Sequence, residues 1–236
     1  MLGFDNVSFS WQQQPLLHDF SLIFSLGSTT ALLGQSGIGK SSLLQLLAGL
    51  ISAQHGTVIT DPTQIAWMGQ QDQLYPWLSV RDNVLLPAML SGQRPDRGRA
   101  DQLLEKVGLG QRMAAKPHQL SGGMRQRVAL ARTLYTDRSI ILMDEPFAML
   151  DAVTKLRLQT LTARLLKGKT VIIVTHDPFE ACRLADEIVL LHSSPLTAIP
   201  LAAPIGETPR PADDLRLLTE QAALLKQLEA YETSAD

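Results

Sequence analysis

The segment Gly34-Gln-Ser-Gly-Ile-Gly-Lys-Ser41 decides the fold of this 236-residue chain. It follows the apolar run Thr29 to Leu33 and leads into Lys40 to Leu50, where leucines recur at helical spacing. This order predicts a strand, a glycine-rich loop and a helix. Glycines let backbone N–H groups approach phosphate oxygens, and the helix that follows adds the partial positive charge of its N-terminus. The segment therefore indicates a loop that holds phosphate groups.

Individual side chains of this loop suit a nucleoside triphosphate with Mg²⁺. Lys40 offers a point charge for the β- and γ-phosphates, and the Ser41 hydroxyl suits a Mg²⁺ ligand. The alternative is a glycine-rich turn without a ligand, which the flanking apolar strand and helix disfavour. The predicted phosphate-binding residues are Gly34, Gln35, Ser36, Gly37, Ile38, Gly39, Lys40, Ser41 and Ser42.

Two acidic residues and a histidine follow apolar strands further along the chain. Asp144 and Glu145 come after Ile140 to Met143, and His176 follows Val171 to Val174. Strands that are apolar at every position indicate a parallel sheet with helices on both faces, and ligands gather at the carboxyl ends of such strands. We expect one carboxylate to hold Mg²⁺ and the other to orient or deprotonate attacking water. The alternatives are a solvated acidic loop and a structural histidine.

The segment Leu120-Ser-Gly-Gly-Met-Arg-Gln-Arg127 is a second candidate anion site. Ser121 stands where a helix from Met124 to Leu134 is predicted to begin, and the two glycines behind it leave backbone N–H groups exposed. From the residues alone, a plain helix cap and a ligand site are both open.

The periodicity of the chain predicts an α/β core with a mostly helical insertion. The first 24 residues alternate around a polar turn at Gln12 to Pro15, which predicts antiparallel strands. From Tyr75 to Arg138 the periodicity is helical, with interruptions at Pro87, at a polar stretch and at glycines. Strands and helices then alternate up to His192.

The chain has the length of one domain, and its end differs in character from the rest. Five prolines between Ser193 and Asp213 precede a predicted amphipathic helix from Leu215 to Tyr231. The predicted parts are a core of residues 1–74 and 138–192, a helical subdomain at 75–137, and a proline-rich tail with its helix at 193–236.

Composition narrows the class of protein. Hydrophobic residues make up 45% and charged residues 19%, as in an ordinary globular protein. The net charge of -2 gives no electrostatic footprint for nucleic acid, so we expect no nucleic-acid partner. The single cysteine, Cys182, and the lack of a signal peptide favour the cytoplasm. No apolar run approaches the roughly 20 residues of a membrane span, so a membrane role would require a partner that crosses it.

With all motifs in order, residues 1 to about 192 resemble the ATP-binding cassette (ABC) ATPases, whose signature sequence is similar to Leu120 to Arg127. The resemblance implies a P-loop NTPase (RecA-like) core that binds ATP and Mg²⁺ and hydrolyses the ATP. It also implies a homodimer packed head to tail. In that dimer Ser121, Gly122 and Gly123 of one copy serve ATP bound to the other.

The resemblance assigns further roles residue by residue. Trp11 matches the aromatic residue that stacks on adenine, although a half-buried aromatic at a strand end is the alternative. Gln70 matches the glutamine that senses Mg²⁺ and water, and Asp151 matches the loop that crosses the dimer. The candidate catalytic residues are Glu145 as base, His176 as switch histidine, Gln70 and Lys40, and the candidate Mg²⁺ ligands are Ser41, Gln70 and Asp144.

The sequence departs from the family pattern at three positions that carry no reacting group. Met149 stands where a small residue is usual, Gly69 where an aromatic residue is common, and Ser42 where threonine is frequent. These departures concern fine geometry rather than activity.

The segment QQDQLYPWLSVRDNV, Gln70 to Val84, is similar to the loop of importer ATPases for nitrate, sulfonate, taurine and pyrimidine-type substrates. This implies a peripheral subunit on the cytoplasmic face of the inner or plasma membrane. Its partners would be an integral membrane permease and, indirectly, a periplasmic or extracellular solute-binding protein. A permease helix would dock on Gln70 to Leu90, with Tyr75, Trp77 and Leu78 as anchors. The alternative is that these aromatics seal the join between subdomains.

Three other functions are alternatives, and the first of them shares the same chemistry. One is an ABC ATPase of a lipid or lipoprotein exporter, and another is a soluble regulator or repair ATPase without a membrane partner. Relatives of the second kind usually carry two cassettes or a long coiled-coil insertion, and this chain has neither. The third is a binding module that barely hydrolyses ATP, which the intact set of candidate catalytic residues argues against.

Overall fold

The computed structural model describes residues 1–192 and 195–233; residues 193–194 and 234–236 of the predicted tail lie outside the described residues. The chain forms two compact units. The first contains Met1–Thr63 and the segment from Leu166 onward, and the second contains Gln64–Leu165. Among the described helices, none combines the length and the apolar character that a membrane crossing requires.

An antiparallel sheet opens the first unit. It contains β1 (Leu2–Trp11), β2 (Gln14–Phe24) and β4 (His55–Ile59) in the order β2-β1-β4. Phe4 is fully buried, and its ring contacts that of Phe20 edge-on at 5.6 Å between centroids. The predicted N-terminal antiparallel region is therefore confirmed.

The parallel strands of the first unit are β3 (Thr29–Leu33), β7 (Thr170–Thr175) and β8 (Glu187–His192), with β3 between the other two. Every residue of β7 is buried, as expected of a strand covered on both faces. The α-helices described in this unit are α1 (Lys40–Leu47), α6 (Pro178–Leu184) and α7 (Leu215–Thr233). Residues from α6 and α7 share an apolar cluster with Ala31, Leu33 and Ile188.

A further strand, β9 (Thr197–Leu201), pairs antiparallel with β8. No strand is predicted here from the sequence, because five prolines lie between Ser193 and Asp213. Pro200 lies opposite Val189 at the end of the sheet order, and proline is tolerated in a strand at a sheet edge.

The second unit pairs β5 (Ile65–Met68) in parallel with β6 (Ile140–Asp144). Its helices are α2 (Val80–Leu90), α3 (Arg97–Lys106), α4 (Gly122–Tyr135) and α5 (Ala152–Leu166). The helix α4 packs against α2, α3 and β5.

Pro87 lies inside α2, so the prediction that it interrupts the helix is wrong. Proline removes one helical hydrogen bond and crowds the preceding turn. The lost bond is the one that the carbonyl of Asn83 would accept, and the helix still buries Val84, Leu85 and Ala88. Burial of these side chains outweighs the cost of the proline.

Candidate active site

The phosphate-binding loop connects β3 to α1 in the first unit. Gly37 and Gly39 have φ angles of 82° and 112°, which side-chain-bearing residues rarely adopt. A Cβ at Gly39 would also lie 2.4 Å from the side chain of Leu16, whereas a Cβ at Gly37 would meet nothing within 4 Å. The backbone thus requires glycine at both positions, and the space around Gly37 stays open for a ligand.

Lys40 is the first residue of α1 and is almost completely buried. Its Nζ donates to the carbonyl oxygens of Gly34 at 2.7 Å and Gln35 at 2.6 Å. The ammonium group is therefore fixed inside the loop whose N–H groups would hold a phosphate. Charge-assisted bonds to phosphate oxygens are stronger than bonds to neutral carbonyls, so this lysine fits a triphosphate.

Trp11 lies beside the start of α1, where its indole Nε1 donates to Ser42 Oγ at 3.1 Å. The side chain is 47% exposed and contacts the ring of Phe9 edge-on. The structure thus brings the predicted adenine-stacking residue next to the phosphate-binding loop. It also gives Ser42, one of the departures from the family pattern, a defined partner.

His176 emerges at the same sheet edge as the loop. In the parallel pairing of β3 and β7, Leu33 lies opposite Thr175, so Gly34 and His176 are the next residues on neighbouring strands. His176 is exposed, and Asp177 after it caps α6. The first unit therefore brings together the loop, Trp11 and His176, and their roles toward ATP stay predictions.

The second unit brings together the remaining candidate catalytic residues. Met68 of β5 lies opposite Met143 of β6, so Gln70, Asp144 and Glu145 emerge at one edge of this strand pair. Gln70 is exposed, while both acidic residues are half-buried.

Glu145 has a left-handed backbone, with φ at 44°. Such a conformation costs a residue other than glycine about 1–3 kcal/mol, and residues of this kind cluster at active sites. The Glu145 carbonyl accepts the Ala148 N–H at 3.2 Å, and Phe147 between them is buried. The turn therefore holds the predicted catalytic base in a strained conformation that no sequence pattern reveals.

Ser121 caps α4, because its Oγ accepts the N–H of Met124 at 3.3 Å. The helix begins at Gly122, two residues before the predicted start. A Cβ at Gly123 would lie 2.4 Å from Cγ2 of Thr154, so packing alone requires glycine there. Ser121 itself is exposed, which leaves a ligand role as a prediction.

Asp151 lies just before α5 and is exposed. Its Oδ1 accepts the Thr154 N–H at 3.0 Å, and the hydrogen bonds from Thr154 lower the pKa of the Asp151 carboxyl. Nearby Met149, another departure from the family pattern, is 68% exposed. This acidic residue thus caps a helix, and its predicted place in a dimer stays a prediction.

The predicted Mg²⁺ ligands fit the way this ion binds with nucleotides. Within the part of the chain that the structure describes, no three His, Cys, Asp or Glu side chains are grouped to hold a metal by themselves. Mg²⁺ in nucleotide sites takes one or two protein ligands and completes its shell with phosphate oxygens and water. The exposed hydroxyl of Ser41 and the half-buried carboxylate of Asp144 are oxygen donors of that kind.

Several residues that hold the Gln70 loop are absent from the sequence predictions. Gln126 Nε2 donates to the carbonyl of Gln70, and Arg125 Nε donates to a carboxylate oxygen of Asp72. Arg132 donates to the carbonyls of Asp72 and Gln73. The one available signal is the spacing of the two arginines, since residues seven apart share a helix face.

These features define a P-loop nucleoside triphosphatase. One unit contains a strand, a phosphate-binding loop and a helix, and the other contains an acidic pair after a parallel strand. The family model described as "ABC transporter" matches residues 17–148, more than half of the chain. The chain belongs to the ABC transporter family.

Known proteins agree with this assignment. The chain is 42% identical over 238 residues to an uncharacterized ABC transporter ATP-binding protein of Haemophilus influenzae, covering 97% of this chain and 98% of the relative. It is 42% identical over 216 residues to the aliphatic sulfonates import ATP-binding protein SsuB 1 of Rhodococcus jostii, covering 86% of each. A solved dimeric, post-hydrolysis ATP-binding cassette with ADP and phosphate is 31% identical, with a TM-score of 0.70 over 80% of this chain and 94% of that one. The predicted family, fold class and ATPase activity are confirmed.

Proposed function

We propose that this chain is the ATP-hydrolysing subunit that energises a membrane importer for a small solute of the nitrate, sulfonate, taurine or pyrimidine type. The sulfonate-importer relative favours a sulfonate within that class. The observation that carries the proposal is an exposed apolar groove in the second unit, which fits a helix of a membrane partner.

The groove has a volume of about 670 Å³. Tyr75, which lines it, is 40% exposed, its ring contacts that of Trp77 edge-on at 5.2 Å, and Trp77 is 67% exposed. Because the Trp77 indole is so exposed to solvent, it does not fill a buried join. This argues against the alternative that these aromatics seal the join between subdomains. Exposed aromatics around an apolar groove are typical of helix-in-groove recognition. The lining residues are Trp67, Gln73, Leu74, Tyr75, Pro76, Leu86, Pro87, Leu90 and Arg132.

In the proposed dimer two copies pack head to tail. Each ATP lies between the phosphate-binding loop of one copy, with Trp11 on the adenine, and Ser121 to Gly123 of the other. Lys40 and the loop N–H groups bind the triphosphate, and His176 bonds the γ-phosphate. Glu145 orients or deprotonates the attacking water. Mg²⁺ would neutralise charge on the phosphate oxygens, with Ser41, Gln70 and Asp144 as its ligands.

Closure of this dimer would change the distance between the two grooves and so move a permease helix bound in each. The permease and an external solute-binding protein would select the solute. The chain itself would lie on the cytoplasmic face of the membrane as a peripheral subunit.

Co-purification tests the transport assignment. The chain is expressed with the products of the neighbouring genes, solubilised in mild detergent and captured, and the partners are identified by mass spectrometry. We expect a polytopic membrane protein, with a solute-binding protein encoded beside it. A chain that hydrolyses ATP but captures no membrane protein would contradict the transport role, and a permease without a solute-binding protein would contradict import in favour of export.

Substitution of the catalytic base tests the hydrolytic site. Glu145→Gln keeps the size of the side chain but cannot take a proton, so turnover is expected to fall on the order of 100- to 10,000-fold. ATP still binds, and the dimer accumulates. Phosphate release and light scattering with ATP measure the two effects, with Glu105→Gln on the exposed side of α3 as the control. Near wild-type turnover in Glu145→Gln would show that another group is the base.

A further inference from the structure

Three side chains of α4 bond to the loop that carries Gln70. Gln126 Nε2 donates to the Gln70 carbonyl at 3.0 Å. Arg132 donates to the carbonyls of Asp72 at 2.7 Å and Gln73 at 2.8 Å. Arg125 Nε donates to Asp72 Oδ2 at 2.8 Å. The Gln70 loop is thus tied to the helix whose N-terminus Ser121 caps.

The Asp72–Arg125 contact is the carboxylate–guanidinium bond of this set, and its two residues also bond to the loop and to the residue before Ser121. Asp72 Oδ1 accepts the Leu74 N–H at 3.1 Å, which fixes the turn of the loop. Arg125 Nη1 donates to the carbonyl of Leu120 at 3.0 Å, directly before Ser121. The side chains of Arg125 and Asp72 are 37% and 26% exposed, so both charges are partly removed from water.

Polar bonds, rather than close packing, provide this connection. A cavity of about 540 Å³ lies between the loop and the start of α4. Its walls include Gln70, Asp72, Gly122 and Arg125. The hydrogen bonds from Arg125 and Gln126 connect the loop to α4 beside this open space.

We propose that Asp72 and Arg125 are positioning residues that make Gln70 and Ser121 move as one body. This inference rests on the proposed function, in which Gln70 attends the ATP of its own copy and Ser121 the ATP of the other. The ion pair then transmits the state of one nucleotide site to the second. Loss of the pair uncouples the two sites without removing any group that touches ATP.

Asp72→Asn tests this role because it removes the charge and keeps the shape. Asp101→Asn is a matched control in the same unit, since Asp101 pairs with Arg81 at 2.5 Å and links α3 to α2 at similar exposure, 33% and 35%. Each variant is assayed for ATPase rate against ATP concentration, for nucleotide binding by the separate chain and for thermal unfolding.

We expect wild-type hydrolysis to be cooperative in ATP. In Asp72→Asn, kcat falls about 10- to 100-fold, as for a small misplacement of catalytic groups. The Hill coefficient falls to 1, while nucleotide binding by the separate chain is unchanged. Asp101→Asn keeps wild-type kcat and cooperativity. Arg125→Gln reproduces the effect, and the double variant is no worse than either single one, as for residues that act as a pair.

A purely structural ion pair gives a different result. Asp72→Asn would then lower the melting temperature as Asp101→Asn does and keep both kcat and the Hill coefficient, which overturns the inference. Non-cooperative hydrolysis by the wild type would overturn it as well. A wild-type chain that hydrolyses no ATP at all would instead contradict the proposed function.

Discussion

At the scale of single residues, Trp11 combines an exposed aromatic face with a hydrogen bond to Ser42. Trp11→Ala removes both and is expected to weaken ATP binding by about 1–3 kcal/mol, the range for stacking of a base on an aromatic side chain. Trp11→Phe keeps most of the stacking but loses the hydrogen bond to Ser42. Titration with a fluorescent ATP analogue measures the affinity of the wild type and of both variants.

Equal losses in Trp11→Phe and Trp11→Ala would mean that the indole acts through its hydrogen bond to Ser42. Wild-type affinity in Trp11→Ala would contradict stacking altogether.

The candidate ATP-site residues could be chosen from the sequence because most of them belong to continuous motifs. Lys40 stands in a glycine-rich loop, and Glu145 follows an apolar strand, so local pattern and chemistry coincide. Asp72 and Arg125 are 53 residues apart, and nothing near either one indicates the other. The left-handed backbone of Glu145 could not be predicted from the sequence either, because a turn of that shape depends on the packing around Phe147.

At the scale of elements, α4 and α5 approach each other where Gly123 meets Thr154. Gly123→Ala places a methyl group against Thr154 Cγ2, and overpacking of this kind costs about 1–3 kcal/mol in unfolding free energy. Thr154→Ser removes that methyl group and is expected to restore stability in the double variant. Urea unfolding measures the effect.

Gly122→Ala is the control for this contact. Its new methyl group would lie 3.9 Å from the nearest atom, on Arg125, so little change in stability is expected. A stable Gly123→Ala variant would show that the two helices can separate without loss.

The tail is held on α6 by Arg210, which lies within the predicted proline-rich tail. The guanidinium is almost completely buried and donates to the carbonyls of Cys182 and Ala185 at 2.8 Å each, and to Pro204. A cation on carbonyls at a helix C-terminus is favourable, although burial lowers the pKa of Arg210. This clamp holds α7 close to α6.

The rate at which the Cys182 thiol is modified measures whether Arg210 holds the tail on α6. Burial raises the pKa of its thiol to about 11 from 9.0, so the thiol is protonated and unreactive at pH 8. Arg210→Ala leaves buried carbonyls unpaired, at about 1–3 kcal/mol each, and the opening of the site is expected to speed modification by a disulfide reagent at pH 8. The charge of Arg210 lowers the thiol pKa, so losing that charge acts in the opposite direction, and a faster rate reports the opening. Arg216→Ala, on an exposed residue of α7, is the control. Equal rates in both variants would contradict a clamp.

The same thiol gives a pH dependence with a definite sign. The folded chain holds the Cys182 proton more tightly than the unfolded chain does, because the folded pKa is the higher one. Its contribution to stability is therefore complete below pH 9.0 and is lost as the pH rises to about 11.

The elements themselves were largely predictable, because periodicity and turn residues are local. β3 has the predicted bounds, β8 ends at the predicted His192, and α7 begins at the predicted Leu215. The two failures, β9 and Pro87 within α2, both involve proline. In each case pairing or burial outweighs the local cost of the residue, and neither effect can be read from nearby sequence.

For the whole molecule, a substitution beside the groove of the second unit can distinguish permease binding from ATP hydrolysis. Trp77→Ala removes an exposed anchor and is expected to weaken permease binding by about 2 kcal/mol or more, as for an interface hot spot. The ATPase rate of the isolated chain is unchanged. Co-purification with the permease and phosphate release measure the two properties.

Leu26→Ala, which truncates another exposed side chain in the first unit, is the control. Full permease capture by Trp77→Ala would place the docking surface elsewhere on the molecule.

Pro200 on β9 has a consequence for how copies of the protein meet in solution. Strands at a sheet margin can recruit strands of other chains, and a proline there lacks an N–H for that pairing. β9 is the last strand in the sheet order, so the proline falls on the strand where such recruitment would begin. Pro200 therefore disfavours edge-to-edge aggregation of copies of this protein at high concentration.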